Sequence, residues 1–176
     1  MTDLVYYVAS SLDGYIAAPD GSFDKFMWDD DFVKDFFASY AWFDSVLMGR
    51  KTYDVAYKQG ITNPYPDLKT YVVSRSMKTS PDANLTLVPG DVPDLVRSLK
   101  AKGNRPIWLC GGGELAAQLF NEQLIDKMII KLNPLILGEG IPLFAGAVKS
   151  ADLALTDTQS YDCGISVRHY TVKYHE

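Results

Sequence analysis

Two short segments combine glycine or hydroxyl residues with basic residues in a pattern that suits phosphate binding. In residues 49–52 (GRKT), a glycine allows close approach of the backbone, and two cations stand at the predicted start of a helix, whose free N–H groups attract anions. In residues 74–76 (SRS), two hydroxyls flank a guanidinium that can bind a phosphate through two parallel hydrogen bonds. Each segment alone is equally well explained as a solvated loop with ordinary basic residues.

A run of three glycines, residues 111–113, stands directly before another predicted helix. Because this backbone carries no Cβ, it can approach a diphosphate closely enough to donate its N–H groups. A tight strand-to-helix turn is the alternative, but such a turn rarely needs three glycines, so the pattern favours an anion site. The spacing of Gly111, Gly113 and Ala116 also fits a Rossmann fingerprint. The motif lies too late in the chain for that fold.

The loop at residues 10–17 (SSLDGYIA) follows the first predicted strand and leads to an aromatic segment at residues 23–28. A loop that is first polar and then apolar is typical of a lid over a planar ligand. Asp13 is its candidate for orienting a substrate or relaying a proton, and Tyr15 or a water molecule is the alternative proton source. A tight structural bend explains Asp13 at least as well.

The elements that position these loops alternate along the chain. Apolar runs of strand length occupy residues 4–9, 45–48, 70–73 and 106–110. Helical periodicity or helix-start signals occupy residues 32–40, 50–57, 91–102 and 114–121. This alternation predicts an α/β fold with a mainly parallel sheet. Since ligands bind outside the carboxyl ends of such strands, the loops described above are expected to meet at one edge of the sheet.

The C-terminal part of the chain has a different pattern. An apolar run at residues 128–137 and two strand-like segments at residues 153–161 and 165–174 predict antiparallel strands that extend the sheet, the last two as a hairpin. This hairpin would leave an aromatic edge that one domain does not cover, so a homodimer is expected. The aromatic residues of that edge are Tyr161, Tyr170 and Tyr174.

Composition limits the classes of function. With 176 residues, of which 47% are apolar and 22% charged, the chain predicts one globular domain over residues 1–176. The 17 basic and 22 acidic residues give a net charge of −5, which argues against a nucleic-acid partner. Cys110 and Cys163 lie far apart and predict neither a disulfide framework nor a metal site. No signal peptide or membrane-spanning run is predicted, so a cytoplasmic protein with no membrane partner is expected.

Taken together, the motifs resemble the dihydrofolate reductase-like superfamily. More narrowly, they are similar to the small proteins related to the reductase domain of the bifunctional riboflavin-biosynthesis deaminase-reductase. The resemblance spans nearly the whole chain and implies a mainly parallel mixed sheet flanked by helices, with a C-terminal antiparallel hairpin. The segments that carry it are residues 11–17 (SLDGYIA), 48–53 (MGRKTY), 73–76 (VSRS), 111–115 (GGGEL) and 134–140 (PLILGEG).

The resemblance implies an NADPH-dependent reductase. Residues 49–52 and 74–76 would hold the end of the cofactor that carries the 2′-phosphate, the glycine triplet would hold the diphosphate, and Ala9 and Ile16 would line the nicotinamide. It also implies pairing of two copies at the hairpin edge. The implied cofactor contacts are Ala9, Ile16, Gly49, Arg50, Lys51, Thr52, Ser74, Arg75, Ser76, Gly111, Gly112, Gly113, Glu114 and Leu115.

Trp28, Val33 and Cys110 are the implied substrate contacts. Val33 stands where dihydrofolate reductases carry the carboxylate that holds the pterin, and Cys110 stands where the riboflavin-pathway reductases carry a glutamate. The expected substrate is therefore an unassigned small heterocyclic or sugar-linked molecule, reduced at a C=N or C=O bond. A non-catalytic nucleotide-binding module and a true dihydrofolate reductase are the alternatives. A hydrolase lacks support, because the chain has neither a G-x-S-x-G nor an H-E-x-x-H motif.

Overall fold

The computed structural model describes residues 1–175 and places eight strands of that part of the chain in one mixed sheet. The strands are β1 (Leu4–Ser10), β2 (Tyr15–Ala17), β3 (Ser45–Gly49), β4 (Lys69–Val73), β5 (Leu85–Val88), β6 (Ile107–Gly111), β7 (Lys127–Leu132), β8 (Ile141–Pro142), β9 (Ala151–Ser160) and β10 (Ser166–Tyr174). The helices are α1 (Asp30–Tyr40), α2 (Arg50–Tyr57), α3 (Val92–Lys102) and α4 (Gly113–Asn121).

The large sheet has the strand order β5-β4-β3-β6-β1-β7-β10-β9. Strands β5 to β7 in this order run parallel, and the hairpin β9–β10 joins β7 in antiparallel orientation. The predicted fold class is thereby confirmed. One detail is wrong: the run that begins at Met128 forms β7, which lies inside the sheet and pairs with β1 in parallel. Strands β2 and β8 form a separate two-stranded sheet.

The central strands of the sheet are buried on both faces, which explains their unbroken apolar runs. Val5 and Tyr7 pack in a cluster with the α1 residue Phe32, whereas the alternate residues Leu4 and Tyr6 pack against α3 and α4. Each fully buried side chain of this size contributes about 1.5–3 kcal/mol to folding. Among residues 1–175 there is no helix with the length and apolarity needed to cross a membrane.

The edge of the sheet beyond β10 differs from the prediction. The outermost strand is β9, and β10 with Tyr170 and Tyr174 lies between β7 and β9. The hydroxyl of Tyr174 donates to the Ile125 carbonyl at 2.9 Å, so this ring is anchored within the fold. The expected aromatic edge is therefore wrong. Leu153 and Leu155 of β9, 45% and 58% exposed, are the apolar side chains that this edge presents.

Candidate active site

Two helices begin side by side at the carboxyl edge of the sheet, each with a glycine at its N-cap. Strands β3 and β6 are neighbours, and α2 and α4 follow them directly. Neither Gly49 nor Gly112 provides a side-chain capping hydrogen bond. A Cβ built on Gly49 would lie 3.8 Å from the Gly112 nitrogen, so the two helix starts face a common space. Free N–H groups and two positive helix dipole ends converge there, as an anion site requires.

The three glycines of the triplet are needed for three different reasons. Gly111 has a φ of +136°, which disfavours any side chain. A Cβ on Gly113 would collide with the Pro142 backbone oxygen, so this glycine allows the segment after β8 to pack closely. Gly112 has an ordinary φ of −100°, and a Cβ there would have the Thr52 hydroxyl as its nearest neighbour, at 3.5 Å. Gly112 is therefore the glycine that the fold itself does not require.

The basic residues of the site are not equally available. Arg50 Nε lies 2.5 Å from Asp54 Oδ1 within α2, and Lys51 Nζ lies 3.6 Å from Glu114 Oε1. Arg75 is exposed and forms no ion pair within the described part of the chain. Its guanidinium is the cation most available for a phosphate group at this edge.

The Ser74–Ser76 turn separates a structural serine from two exposed residues. Ser74 is buried, its N–H donates to the Val88 carbonyl at 3.0 Å, and its hydroxyl accepts from the Met77 N–H at 3.0 Å. These bonds join the ends of β4 and β5 and hold the turn in shape. Arg75 and Ser76 are exposed in this turn, and the Ser76 hydroxyl lies 3.3 Å from that of Ser74.

Asp13 fastens two loops together. Its carboxylate accepts from the Ser11 hydroxyl at 2.6 Å, from the Leu137 N–H at 3.1 Å and from the Gly138 N–H at 2.7 Å. These hydrogen bonds, led by that of Ser11, lower the pKa of Asp13. An exposed carboxyl with a lowered pKa is a poor proton donor at neutral pH, so the geometry favours the structural explanation of this residue.

The face of the sheet covered by α1 carries a lysine that sequence reasoning missed. Lys131 of β7 pairs in register with Ala9 of β1, so both side chains leave the sheet on this face. Its Nζ lies 4.2 Å from the centre of the Phe32 ring and 4.5 Å from that of Trp28, and it donates to the Met27 carbonyl. Burial lowers the pKa of Lys131 to about 8. The available signal was a lysine within an otherwise apolar run.

The other predicted substrate positions lie on the same face. Cys110 has its Sγ 3.9 Å from the Tyr65 hydroxyl, and the Tyr65 ring packs on Trp108 with centroids 4.7 Å apart. Burial raises the pKa of Cys110 to about 11, so the thiol is neutral at physiological pH. Val33 of α1 packs against the same apolar cluster. These groups offer neutral hydrogen bonds and aromatic surface.

The two acids of α1 that flank Val33 differ in their contacts. Asp35 accepts from Gln159 Nε2 at 2.7 Å and from the Tyr161 hydroxyl at 2.9 Å, which ties α1 to the C-terminal hairpin. Asp31 is exposed in the first turn of α1.

A groove of about 480 Å³ at the opposite edge of the sheet is a second concave region. Its charged side chains are engaged with one another or with other polar groups. Lys69 Nζ lies 3.1 Å from Asp44, Asp67 accepts from the Tyr40 hydroxyl, and Arg105 donates to carbonyls at the end of α1. The carboxyl edge, with its open helix starts and an uncommitted guanidinium, is the better candidate for a ligand site.

This combination of a mostly parallel mixed sheet and a glycine-lined carboxyl edge defines an α/β domain with a candidate anion site at that edge. The family model of the RibD C-terminal domain matches residues 3–167, and the chain belongs to that family. The resemblance seen in the sequence is confirmed.

Individual proteins agree with this assignment. The chain is 34% identical over 170 residues to the uncharacterized protein YwjB of Bacillus subtilis (strain 168). This alignment covers 94% of the chain and 95% of YwjB. A putative riboflavin biosynthesis protein from Shewanella sp. PV-4 superposes with a TM-score of 0.83 at 29% identity, covering 99% of this chain and 100% of that one. Dihydrofolate reductase from Enterococcus faecalis, in complex with NADP(H) and RAB-propyl, shares the fold with a TM-score of 0.70 at 15% identity, covering 97% and 96%.

Proposed function

We propose that the protein is an NADPH-dependent reductase that transfers hydride to a C=N or C=O bond of a small heterocyclic or sugar-linked substrate. The observation that carries this proposal is the pair of adjacent glycine-capped helix starts at Gly49 and Gly112. Membership of the RibD C-terminal domain family supports a reductase. The NADP(H) complex of the enterococcal dihydrofolate reductase, which has the same fold, supports the choice of cofactor.

The residues present fit a dinucleotide phosphate. The two open helix starts would hold the diphosphate, and no side chain of Gly49 or Gly112 competes for their N–H groups. The exposed Arg75 and Ser76 would hold the 2′-phosphate with help from Arg50 and Lys51. Ala9 and Ile16, both partly exposed near the first loop, would line the nicotinamide.

The chain contributes binding, orientation and exclusion of water. Bound NADPH would supply the hydride, and the partly exposed Tyr65 and Cys110, backed by the buried rings of Phe32 and Trp108, would offer a water-poor surface for the acceptor. The reduction is completed by one proton. We assign that proton to solvent, because Asp13 is held in its charged form by the 137–138 loop.

Binding and turnover of NADPH test this proposal. Quenching of tryptophan fluorescence should give tighter binding for NADPH than for NADH, and NADPH should be oxidised with at least one member of a panel of carbonyl and imine acceptors. Equal dissociation constants for the two cofactors would contradict the cofactor assignment. Tight NADPH binding without oxidation by any acceptor would support the alternative of a non-catalytic nucleotide-binding module.

Dihydrofolate is expected to be a poor substrate. Val33 cannot hold a pterin ring nitrogen, and the Cys110 thiol is only a weak hydrogen-bonding group. A missing charged hydrogen bond corresponds to about 1.5–3 kcal/mol, or one to two decades in kcat/KM. The effect of the missing charged hydrogen bond on kcat/KM is tested by steady-state assays of wild type and Cys110→Glu. The two substrates are dihydrofolate and 5-amino-6-(5-phosphoribosylamino)uracil. Efficient wild-type turnover of either substrate would show that the acid-free face is not the substrate site.

We also propose that two copies of the chain pair through β9. This edge strand is ten residues long and exposes Leu153 and Leu155, a combination that isolated domains usually avoid. Light scattering at micromolar concentration should give the mass of a dimer for wild type and of a monomer for Leu155→Lys. A wild-type monomer would refute the pairing.

A further inference from the structure

The buried position of Lys131 is energetically unfavourable for a charged side chain. Its side chain is 3% exposed, and among the described residues no carboxylate lies within ion-pair distance of it. A buried ammonium without a carboxylate partner destabilises a fold unless other groups compensate. Here the compensation comes from the Met27 carbonyl and from the rings of Phe32 and Trp28.

The fold does not need this charge to hold the segment before α1. The Met27 N–H already donates to Asn133 Oδ1 at 3.1 Å, and Asn133 is itself buried and bonded to the Ser10 carbonyl. This amide fixes Met27 at the end of β7 without a cation. The Lys131 ammonium binds the other polar group of the Met27 backbone, its carbonyl, and in addition faces the Trp28 and Phe32 rings.

The Trp28 ring contacts the Lys131 ammonium on one face and is itself exposed to solvent. Its side chain is 61% exposed although one ring face receives the Lys131 ammonium. A cation on one face draws electron density from the ring and makes the open face attractive to electron-rich, negatively charged partners. The open face of the indole, at the start of α1, is thus a stacking surface with a positive bias.

We propose that Lys131 and Trp28 form a platform that selects planar substrates bearing negative charge over planar cations. Lys131 is its positioning residue and acts through the indole. This inference rests on the proposed reductase function and narrows its substrate class to aromatic or conjugated carbonyl or imine compounds that are anionic.

The groups around the platform are both neutral and acidic, and the exposed Asp30 and Asp31 of the first turn of α1 act against the charge of Lys131. Cys110 and Tyr65 are neutral at physiological pH, because burial raises both of their pKa values. The titratable groups whose charges act on the pKa of Lys131 are Cys163, in the turn of the hairpin, and Asp29, before α1. Asp29 is engaged by its own helix, since its Oδ1 accepts from the N–H groups of Asp31 and Phe32.

A matched pair of planar probes tests the platform. Equilibrium binding of 2-naphthoate and of 2-naphthamidinium is measured by tryptophan quenching, with and without saturating NADP⁺. We expect naphthoate to bind more tightly by about tenfold, the effect of one unit charge across an aromatic ring in a partly solvated site. The preference should disappear in Lys131→Met and in Trp28→Leu and return in Lys131→Arg. It should also decline as the pH rises through about 8, where Lys131 loses its charge.

Two control variants isolate the effect. Lys127→Met removes an exposed lysine from the other end of β7, and Trp42→Phe removes an exposed indole beyond the end of α1, so neither should change the preference. Failure of naphthoate to bind wild type, a preference for the cation, or a preference that survives in Lys131→Met would each overturn the platform. The NADPH titration is read separately, so failure of the reductase proposal is distinguishable from failure of this one.

Discussion

Helices α2 and α4 begin differently from α3, although all three start at the carboxyl edge of the same parallel strands. Helix α3 is capped by Asp91, whose carboxylate accepts from the Asp94 N–H at 3.3 Å. Helices α2 and α4 start at glycines and leave their first N–H groups without a side-chain partner. The residue at the N-cap thus decides whether the first N–H groups of a helix bind a capping side chain or remain available to a ligand anion.

Giving α2 a capping side chain should have the largest effect on NADPH affinity. In Gly49→Asp, the new carboxylate caps α2 from an extended backbone with φ of −73°, as a normal N-cap does. It also places a negative charge where the diphosphate would lie. We expect NADPH affinity to fall by about a thousandfold or more, since like charges in contact cost several kcal/mol. Thermal unfolding should show unchanged or slightly higher stability, and retained NADPH affinity would contradict the open-start account.

Filling the open space without adding charge should have a smaller effect. Gly112→Ala places a methyl group at the start of α4, where the fold has room for it. Loss of two or so charge-assisted N–H contacts predicts about a hundredfold weaker NADPH binding by fluorescence titration. The matched control is Gly90→Ala, directly before the Asp91 cap, where a Cβ meets nothing within 4 Å. If the two variants bound NADPH alike, the triplet would be only a structural turn.

Removing the available cation should affect only the choice between the two nicotinamide cofactors. Arg75→Gln is expected to reduce the preference for NADPH over NADH by about tenfold to a hundredfold, the contribution of one charged hydrogen bond to a phosphate. Lys51→Gln should reduce it less, because Lys51 already faces Glu114. Lys78→Gln, an exposed lysine after the same turn, is the control. An unchanged preference in Arg75→Gln would place the 2′-phosphate elsewhere.

Removing the side-chain cap of α1 should lower the stability of the fold slightly and leave NADPH binding unchanged. In Asp29→Ala, two capping bonds of 3.1 Å at the start of α1 are lost. We expect the free energy of unfolding to fall by about 1 kcal/mol, measured by urea denaturation, with NADPH affinity unchanged. A loss of NADPH affinity as large as that of Gly112→Ala would remove the distinction between the two kinds of helix start.

The elements with strong periodic signals could be predicted from the sequence. Helix α2 begins and ends where its pattern indicated, and the four long apolar runs became β1, β3, β4 and β6. Strand β5, Leu85–Val88, was missed because Thr86 interrupts its apolar run and four residues are too few to establish an alternation. The direction of β7 was also missed, since an apolar run does not state which neighbour it pairs with.

The site was predicted less completely, because its residues serve several purposes at once. A run of glycines does not distinguish the positive φ of Gly111 and the tight packing of Gly113 from the open start at Gly112. An exposed acid in a loop does not reveal that the 137–138 backbone binds it, as happens at Asp13. Lys131 escaped notice because its aromatic partners come from a segment about a hundred residues earlier in the chain.

A crystal structure of the protein with NADP⁺ would show directly where the phosphate groups of the cofactor bind. The account predicts the diphosphate between the helix starts at Gly49 and Gly112, within hydrogen-bond distance of their first N–H groups, and the 2′-phosphate on Arg75. A nucleotide bound instead in the groove at the opposite edge, beside Asp44 and Lys69, would contradict it.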